Sequence, residues 1–297
     1  MAGGQERILR RRIKSVRATR KITKAMELIA ASQISRSQAR IVANRPYRNG
    51  MKRIIVEAAK GDPAAAKKLL ATPEKVDTAL VLVITGDRGL SGAYNSSVLR
   101  AGERLVTSLR AEGTRVRLFA VGKKAAAFYR FRGMEIEESF VGIADRPTFA
   151  DARVVASTIA APFIDGEAEQ VLLVSTRFVS AGSQVVEVEQ LLPLSVPEVV
   201  VDDTPKALKG YTEFEPEVEQ LLSFLAPRAL ESEIFTALLE GAASFHTSQQ
   251  RAMAAATENA DELGQTLSRI MNRARQDSIT TEIMEIVGGA EALRSGK

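Results

Sequence analysis

Three sets of residues in this 297-residue chain have types and spacings that chemistry can use. Gly86, Gly89 and Gly92 stand in G-D-R-G-L-S-G directly after a β-branched run, where a phosphate-binding loop would lie. A dinucleotide site needs G-x-G-x-x-G for its tight turn and close backbone approach, and a P-loop needs G-K-[S/T] to bring a lysine onto the phosphates. Neither string is here, so the glycines read as a structural turn or a partner-binding loop. Glu282 and Glu285 lie three apart, on one face of a helix, as a pair of acid–base carboxylates would. The flanking Ile279, Ile283 and Ile286 form an apolar stripe that does not describe a cleft. His246 is the only histidine and there is no cysteine, so neither a zinc site nor a Ser-His-Asp arrangement can be assembled. His246 reads as a solvated or packed helix residue, and the chain reads as non-enzymatic, with no cofactor.

The elements that position these residues follow from periodicity. Gln5 to Arg45 holds neither Gly nor Pro, enough for one helix of roughly 60 Å at 1.5 Å per residue. Pro46 is expected to kink it or mark a break. Leu9, Ile13 and Val16, then Ile22, Met26 and Ile29, form two apolar stretches, with a gap of six that shifts the register by one. At the other end a helix is expected from Pro227, a good first-turn residue, to Val287. Within it Met253, Ala256, Ala260, Leu263, Leu267, Ile270 and Ala274 alternate steps of three and four. That pattern fits a coiled-coil seam or an ordinary helical hairpin.

Between the helices the period changes. Thr78–Thr85, Val116–Val121 and Val171–Ser175 predict strands, with helices near 97–112, 123–132 and 149–163 and a further strand near 185–191. Strand–helix alternation implies parallel pairing in a Rossmann-like α/β domain. The expected domains are an N-terminal coiled-coil helix (1–60), the α/β domain (75–210) and a C-terminal coiled-coil helix (211–297). Residues 64–71 predict a short exposed helix or linker, and 202–216 a loop.

Composition narrows the function classes. Aromatics make up only 5% of the chain and there is no Trp, which suits apolar content spread along helices. The lack of cysteine excludes disulfides and thiol chemistry and fits a reducing compartment. No apolar run nears the ~18 residues of a membrane span. Arg10, Arg11 and Arg12 lack the apolar core and cleavage site of a targeting peptide and read as mature sequence. The net charge of +5 is uneven: residues 1–53 carry 15 Lys or Arg against Glu6 and Glu27 alone. A basic arm of this kind is either a nucleic-acid patch or a solvated helix face.

Four strings carry a resemblance. They are K-I-T-K-A-M-E-L-I-A-A-S (21–32), T-G-D-R-G-L-S-G-A-Y-N (85–95), R-A-M-A-A-A-T-E-N-A (251–260) with N-R-A-R-Q (272–276), and I-T-x-E-x-x-E-x-x-x-G-A-x-A (279–292). Together and in order they resemble the gamma subunits of bacterial F-type ATP synthases. The resemblance implies an antiparallel coiled coil of the two terminal helices, inserted as a rotor shaft into a ring of alternating alpha and beta subunits. The α/β domain would meet epsilon and the ring of c subunits, peripheral to the cytoplasmic side of the bacterial cell membrane. Carried over by position, Arg275 and Gln276 would face the beta loop that grips the shaft, with Lys21, Lys24 and Met26 close by, near an acidic segment of beta. Thr280 and Glu282 belong to the tip, Arg88 to a partner-facing loop and Phe214 to the foot. An acidic protein surface is thus a third partner for the basic arm. Gln33 departs from the lysine that many members carry. A nucleic-acid-binding coiled coil and a small-molecule enzyme on the α/β domain are the rival classes.

Overall fold

The computed structural model describes residues 2–62, 75–194 and 214–295. Its elements are α1 (Ala2–Gly61), β1 (Thr78–Ile84), α2 (Tyr94–Ala111), β2 (Arg115–Val121), α3 (Lys123–Phe131), β3 (Glu138–Phe140), α4 (Phe149–Ile164), β4 (Gln170–Phe178), β5 (Gln184–Leu192) and α5 (Val218–Ser295). They divide into two compact units: Met1–Ala30 with Gln250–Lys297, and Ala31–Gln249.

In the second unit the sheet order is β3-β2-β1-β4-β5. β1 pairs parallel with β2 and β4, β2 parallel with β3, and β4 antiparallel with β5. A strand covered on both faces reads as a continuous apolar run, and β1 shows why. Leu80, Leu82 and Ile84 point to one face, where they meet Val155 and Ile159 of α4 and Leu230, Ile234 and Leu238 of α5. Val81 and Val83 point to the other, against Val98, Leu99 and Val106 of α2 and Tyr129 of α3. α4 opens with a capping box: the Thr148 hydroxyl accepts from Asp151 N at 3.2 Å, and the Asp151 carboxylate accepts from Thr148 N at 2.7 Å.

α5 outruns its expected limits, and α1 passes the break expected at Pro46. α1 continues through Pro46, because its neighbours are held from outside: Tyr47 packs edge-on to Phe149, and Arg48 Nη2 lies 2.6 Å from Glu233 Oε2. Tertiary packing of this kind offsets the lost helical hydrogen bond. α5 starts nine residues before Pro227, which therefore sits inside it. Residues 218–226 join through Leu222, which is buried with Met51, Ile55 and Ala58 of α1. Near Arg48, burial alone would raise the Glu233 carboxyl, yet Arg48 and Lys52 hold it below the usual range. The neighbouring Glu189 and Glu240 carboxyls are raised by burial. Strand β3, only three residues long and polar at Glu138 and Ser139, carried no strand signal in the sequence. The 64–71 expectation and most of the 202–216 loop lie outside the described residues.

In the first unit the two helices pair antiparallel. The Thr23 and Thr257 hydroxyls hydrogen-bond at 2.8 Å, Arg20 is ion-paired with Asp261, and a Cβ on Gly264 would lie 3.8 Å from Val16 Cγ1. Each step back along α1 is matched by a step forward along α5.

Candidate partner-binding surfaces

The helix pair faces inward with residues that hydropathy alone would not choose. On α1 the inward row is Leu9, Ile13, Val16, Thr23 and Ala30, with the half-exposed Arg20 and the partly buried Glu27 completing an alternation of four and three. Thr23 is 8% exposed and Ala30 0%, whereas Ile22 and Ile29 are each 61% exposed. The expected register shift after Val16 therefore does not occur, because the seam passes through polar and small residues. On α5, Met253, Ala260, Leu267 and Ala274 face inward as expected, but their seam partners are Thr257, Gly264, Met271 and Ser278. Leu263 and Ile270 point outward. Small residues on the seam let the backbones approach, and that closeness selects Gly264 over Leu263.

The consequence is an outward apolar surface on a two-helix unit. Ile8, Ile22, Leu28 and Ile29 on α1, and Ile279, Ile283, Met284, Ile286 and Val287 on α5, are exposed side chains. Beside the seam, Arg10, Lys14, Arg17 and Lys21 recur at steps of four, three and four and line a groove with Ser268 and Met271. On α1 apolar area and positive charge thus occur together, a combination that suits a partly acidic protein surface.

The antiparallel register separates residues that the sequence grouped. Lys21 lies level with the Thr257–Asp261 stretch, whereas Arg275 and Gln276 lie some 15 residues further along α5, roughly 22 Å at 1.5 Å per residue. They are therefore not one cluster. Lys21, Arg275, Gln276 and Thr280 are exposed. Lys24 is paired to Glu27 at 3.0 Å, and Met26 is half-buried. Glu282 is exposed and accepts from the Ser278 hydroxyl at 3.3 Å. Phe214 is half-buried against the cluster of Met51, Ile55 and Leu222, while Phe224 is the exposed aromatic of that region.

The glycine loop is filled from within. The sheet order reverses between β1 and β4, the place where open α/β sheets bind ligands beyond the carboxyl ends of their strands. Here a Cβ on Gly86 would lie 2.9 Å from the ring of Phe245 on α5, so the aromatic occupies that crevice. Tyr94 packs edge-on to the same ring at 5.7 Å. The Gly86 N–H is taken by Asn95 Oδ1 at 2.9 Å. At the start of α3, where a phosphate would sit, the Asp87 carboxylate accepts from the N–H groups of Lys123 and Gly142 at 3.0 Å and of Ala144 at 3.3 Å. Asp87 is thus an internal anion that ties three loops together, a role its place in G-D-R-G before a strand–helix turn could have signalled. Arg88 pairs with Asp145 at 2.7 Å. His246 is packed, 3% exposed, and burial pushes its imidazole below the usual histidine range. No cluster of three or more metal-ligating side chains occurs among the described residues, and no helix among them is long and apolar enough to cross a membrane.

A family model described as "ATP synthase" matches residues 5–293. The chain is 46% identical over 296 residues to the ATP synthase gamma chain of Kineococcus radiotolerans, covering 98% of each. It is 44% identical to that of Streptomyces avermitilis, covering 98% of this chain and 97% of the other. Among solved structures, the central stalk and c-ring of the Tetrahymena thermophila mitochondrial ATP synthase aligns at a TM-score of 0.61 with 25% identity, covering 79% of this chain and 99% of that one. A chain of the Euglena gracilis mitochondrial ATP synthase aligns at a TM-score of 0.66 with 17% identity, covering 99% and 96%, and shares the fold.

Proposed function

The chain belongs to the ATP synthase gamma-chain family, and from that premise we propose that it is the central-stalk rotor of a bacterial F-type ATP synthase, non-catalytic in itself. The single observation that carries this reading is the outward row of isoleucines on the helix pair. A free two-helix protein would turn them inward, and a shaft enclosed by other subunits would not.

The partners are the alpha and beta subunits around the coil, and epsilon and the c-subunit ring at the α/β unit. Nucleotide chemistry belongs to the surrounding ring. Three beta subunits of one sequence take different affinities only if something off their symmetry touches each differently. An asymmetric shaft supplies that difference, and rotation passes each site through every state. Its leverage is a coupling free energy, bounded by its differential contacts with those states. Proton-driven rotation then releases ATP, and hydrolysis drives the reverse. The basic column Arg10–Lys14–Arg17–Lys21 faces acidic segments of beta; Arg275, Gln276, Thr280 and Glu282 contact the ring further along; Arg88 and Phe214 serve the α/β unit. The chain is held at the cytoplasmic side of the cell membrane through other subunits.

Reconstitution tests this reading. Added to gamma-depleted complex, the chain restores proton-coupled ATP synthesis, while alone it hydrolyses no ATP. Turnover by the isolated chain that survives removal of trace beta subunit contradicts the assignment.

A further inference from the structure

Among the described residues, Leu90 in the loop after β1 is the non-glycine residue with a positive φ. At φ +62° it occupies the left-handed region that bulky side chains rarely enter, and its side chain is 62% exposed, so little internal packing offsets that conformation. The conformation is imposed from around it. Asn95 on α2 accepts from Gly86 N at 2.9 Å and donates to Arg88 O at 3.0 Å and to Ser91 Oγ at 3.2 Å, which pins the loop on both sides of Leu90. Tyr94 N closes the following turn on Ser91 O at 3.1 Å. Backbone strain held by its surroundings in this way concentrates at binding sites.

What surrounds Leu90 describes the occupant. The Asp87 carboxylate ties this loop to the start of α3 and to Gly142, so the exposed Val141 stands on a neighbouring loop. Arg88, Lys123 and Lys124 are exposed on the same loops, and a Cβ on Gly89 would lie 3.7 Å from Lys124 Nζ. The carboxylates among them are engaged, Asp87 by three backbone N–H groups and Asp145 by Arg88. Lysine charge therefore stands beside an apolar tip, while the backbone donors that a small anion would use are already taken. We infer that Leu90 is an apolar anchor, held in a strained conformation by Asn95, for insertion into an acidic protein surface with a pocket that receives it. This rests on the rotor reading, in which the loop faces a partner subunit, and adds the residue that anchors the contact and the one that positions it.

Two measurements on the whole chain test it. Leu90→Gly removes the strain and should raise the folding constant of the isolated chain about threefold in urea unfolding. The same variant should bind gamma-depleted complex about tenfold more weakly. Leu90→Met keeps both the strain and the apolar tip and should match the parent chain in both measurements. Lys124→Gln should weaken binding at low salt only, whereas the loss in Leu90→Gly persists at high salt. Asn95→Ala should also weaken binding, and combined with Leu90→Gly it should add nothing, because Asn95 acts through Leu90. Equal binding by Leu90→Gly and the parent, or no gain in the folding constant, overturns the anchor. Additive losses in the double variant overturn the positioning role of Asn95. A parent chain that fails to bind the complex at all overturns the rotor reading, and the anchor with it.

Discussion

The helix pair of Met1–Ala30 with Gln250–Lys297 and the α/β unit of Ala31–Gln249 use their large apolar side chains in opposite ways. In the α/β unit, Leu80, Leu82 and Ile234 are wholly buried, and the loop glycines Gly86 and Gly122 are closely packed. In the helix pair, the seam mixes Leu9, Ile13 and Met253 with the small or polar Ala30, Thr23, Thr257 and Gly264, while Ile22, Ile29, Leu263 and Ile270 look outward. One unit is stabilised by its own core. The other keeps its apolar area for a partner, and its two helices hold register through small residues, one hydroxyl pair and one ion pair.

The largest effect expected from this contrast is in the sheet. Leu82→Ala leaves a cavity in a fully buried strand and should cost about 3 kcal/mol in urea unfolding of the isolated chain. The outward Ile22→Ala should shift the same transition by less than about 0.5 kcal/mol, yet lower coupled turnover in the assembled complex. Equal stability losses at the two sites would erase the distinction. Next in size, Gly122→Ala places a Cβ 2.4 Å from the Thr85 carbonyl, at a φ of +93°, and should cost about 2 kcal/mol by the same measurement. A neutral result would show that the loops after β1 and β2 yield more readily than their packing implies.

On the helix pair the expected losses are smaller. Leu267→Asp puts a carboxylate on a half-buried seam position and should cost about 1–2 kcal/mol, seen as a lower helix-melting temperature before any change in the α/β transition. Coincident melting of both units would mean that they unfold as one. Smallest is Arg20→Ala: both members of the Arg20–Asp261 pair are half exposed, so the loss should stay under about 0.5 kcal/mol and vanish in high salt. A loss that survives salt would show that the pair fixes register by packing.

What could be read from the sequence follows the same division. β1, β2 and β4 were legible because strands buried on both faces are continuous β-branched runs, and the helices between them because their apolar periods are clean. β3 was not, since three residues at a sheet edge leave no period. In the helix pair, element type was legible but register was not. Choosing Ile22 and Leu263 over Thr23 and Gly264 applies the rule that large apolar residues face inward, and that rule holds only for surfaces the chain covers itself. The Pro227 boundary failed similarly, since Leu222 gains a buried site that recruits the preceding turn. Among the site residues, Arg88 was legible as part of a loop, and the structure pairs it with Asp145. The partners of Asp87 were not, because the backbone groups of Lys123, Gly142 and Ala144 are brought near only by the fold.

The central claim is that this chain turns inside a ring that does not. With no native cysteine, Leu28→Cys places a single exposed thiol on α1, and a cysteine on the facing surface of beta can be oxidised to it in the assembled complex. ATP turnover should stop as the crosslink forms and return on reduction. Sustained turnover with the crosslink complete would contradict the account.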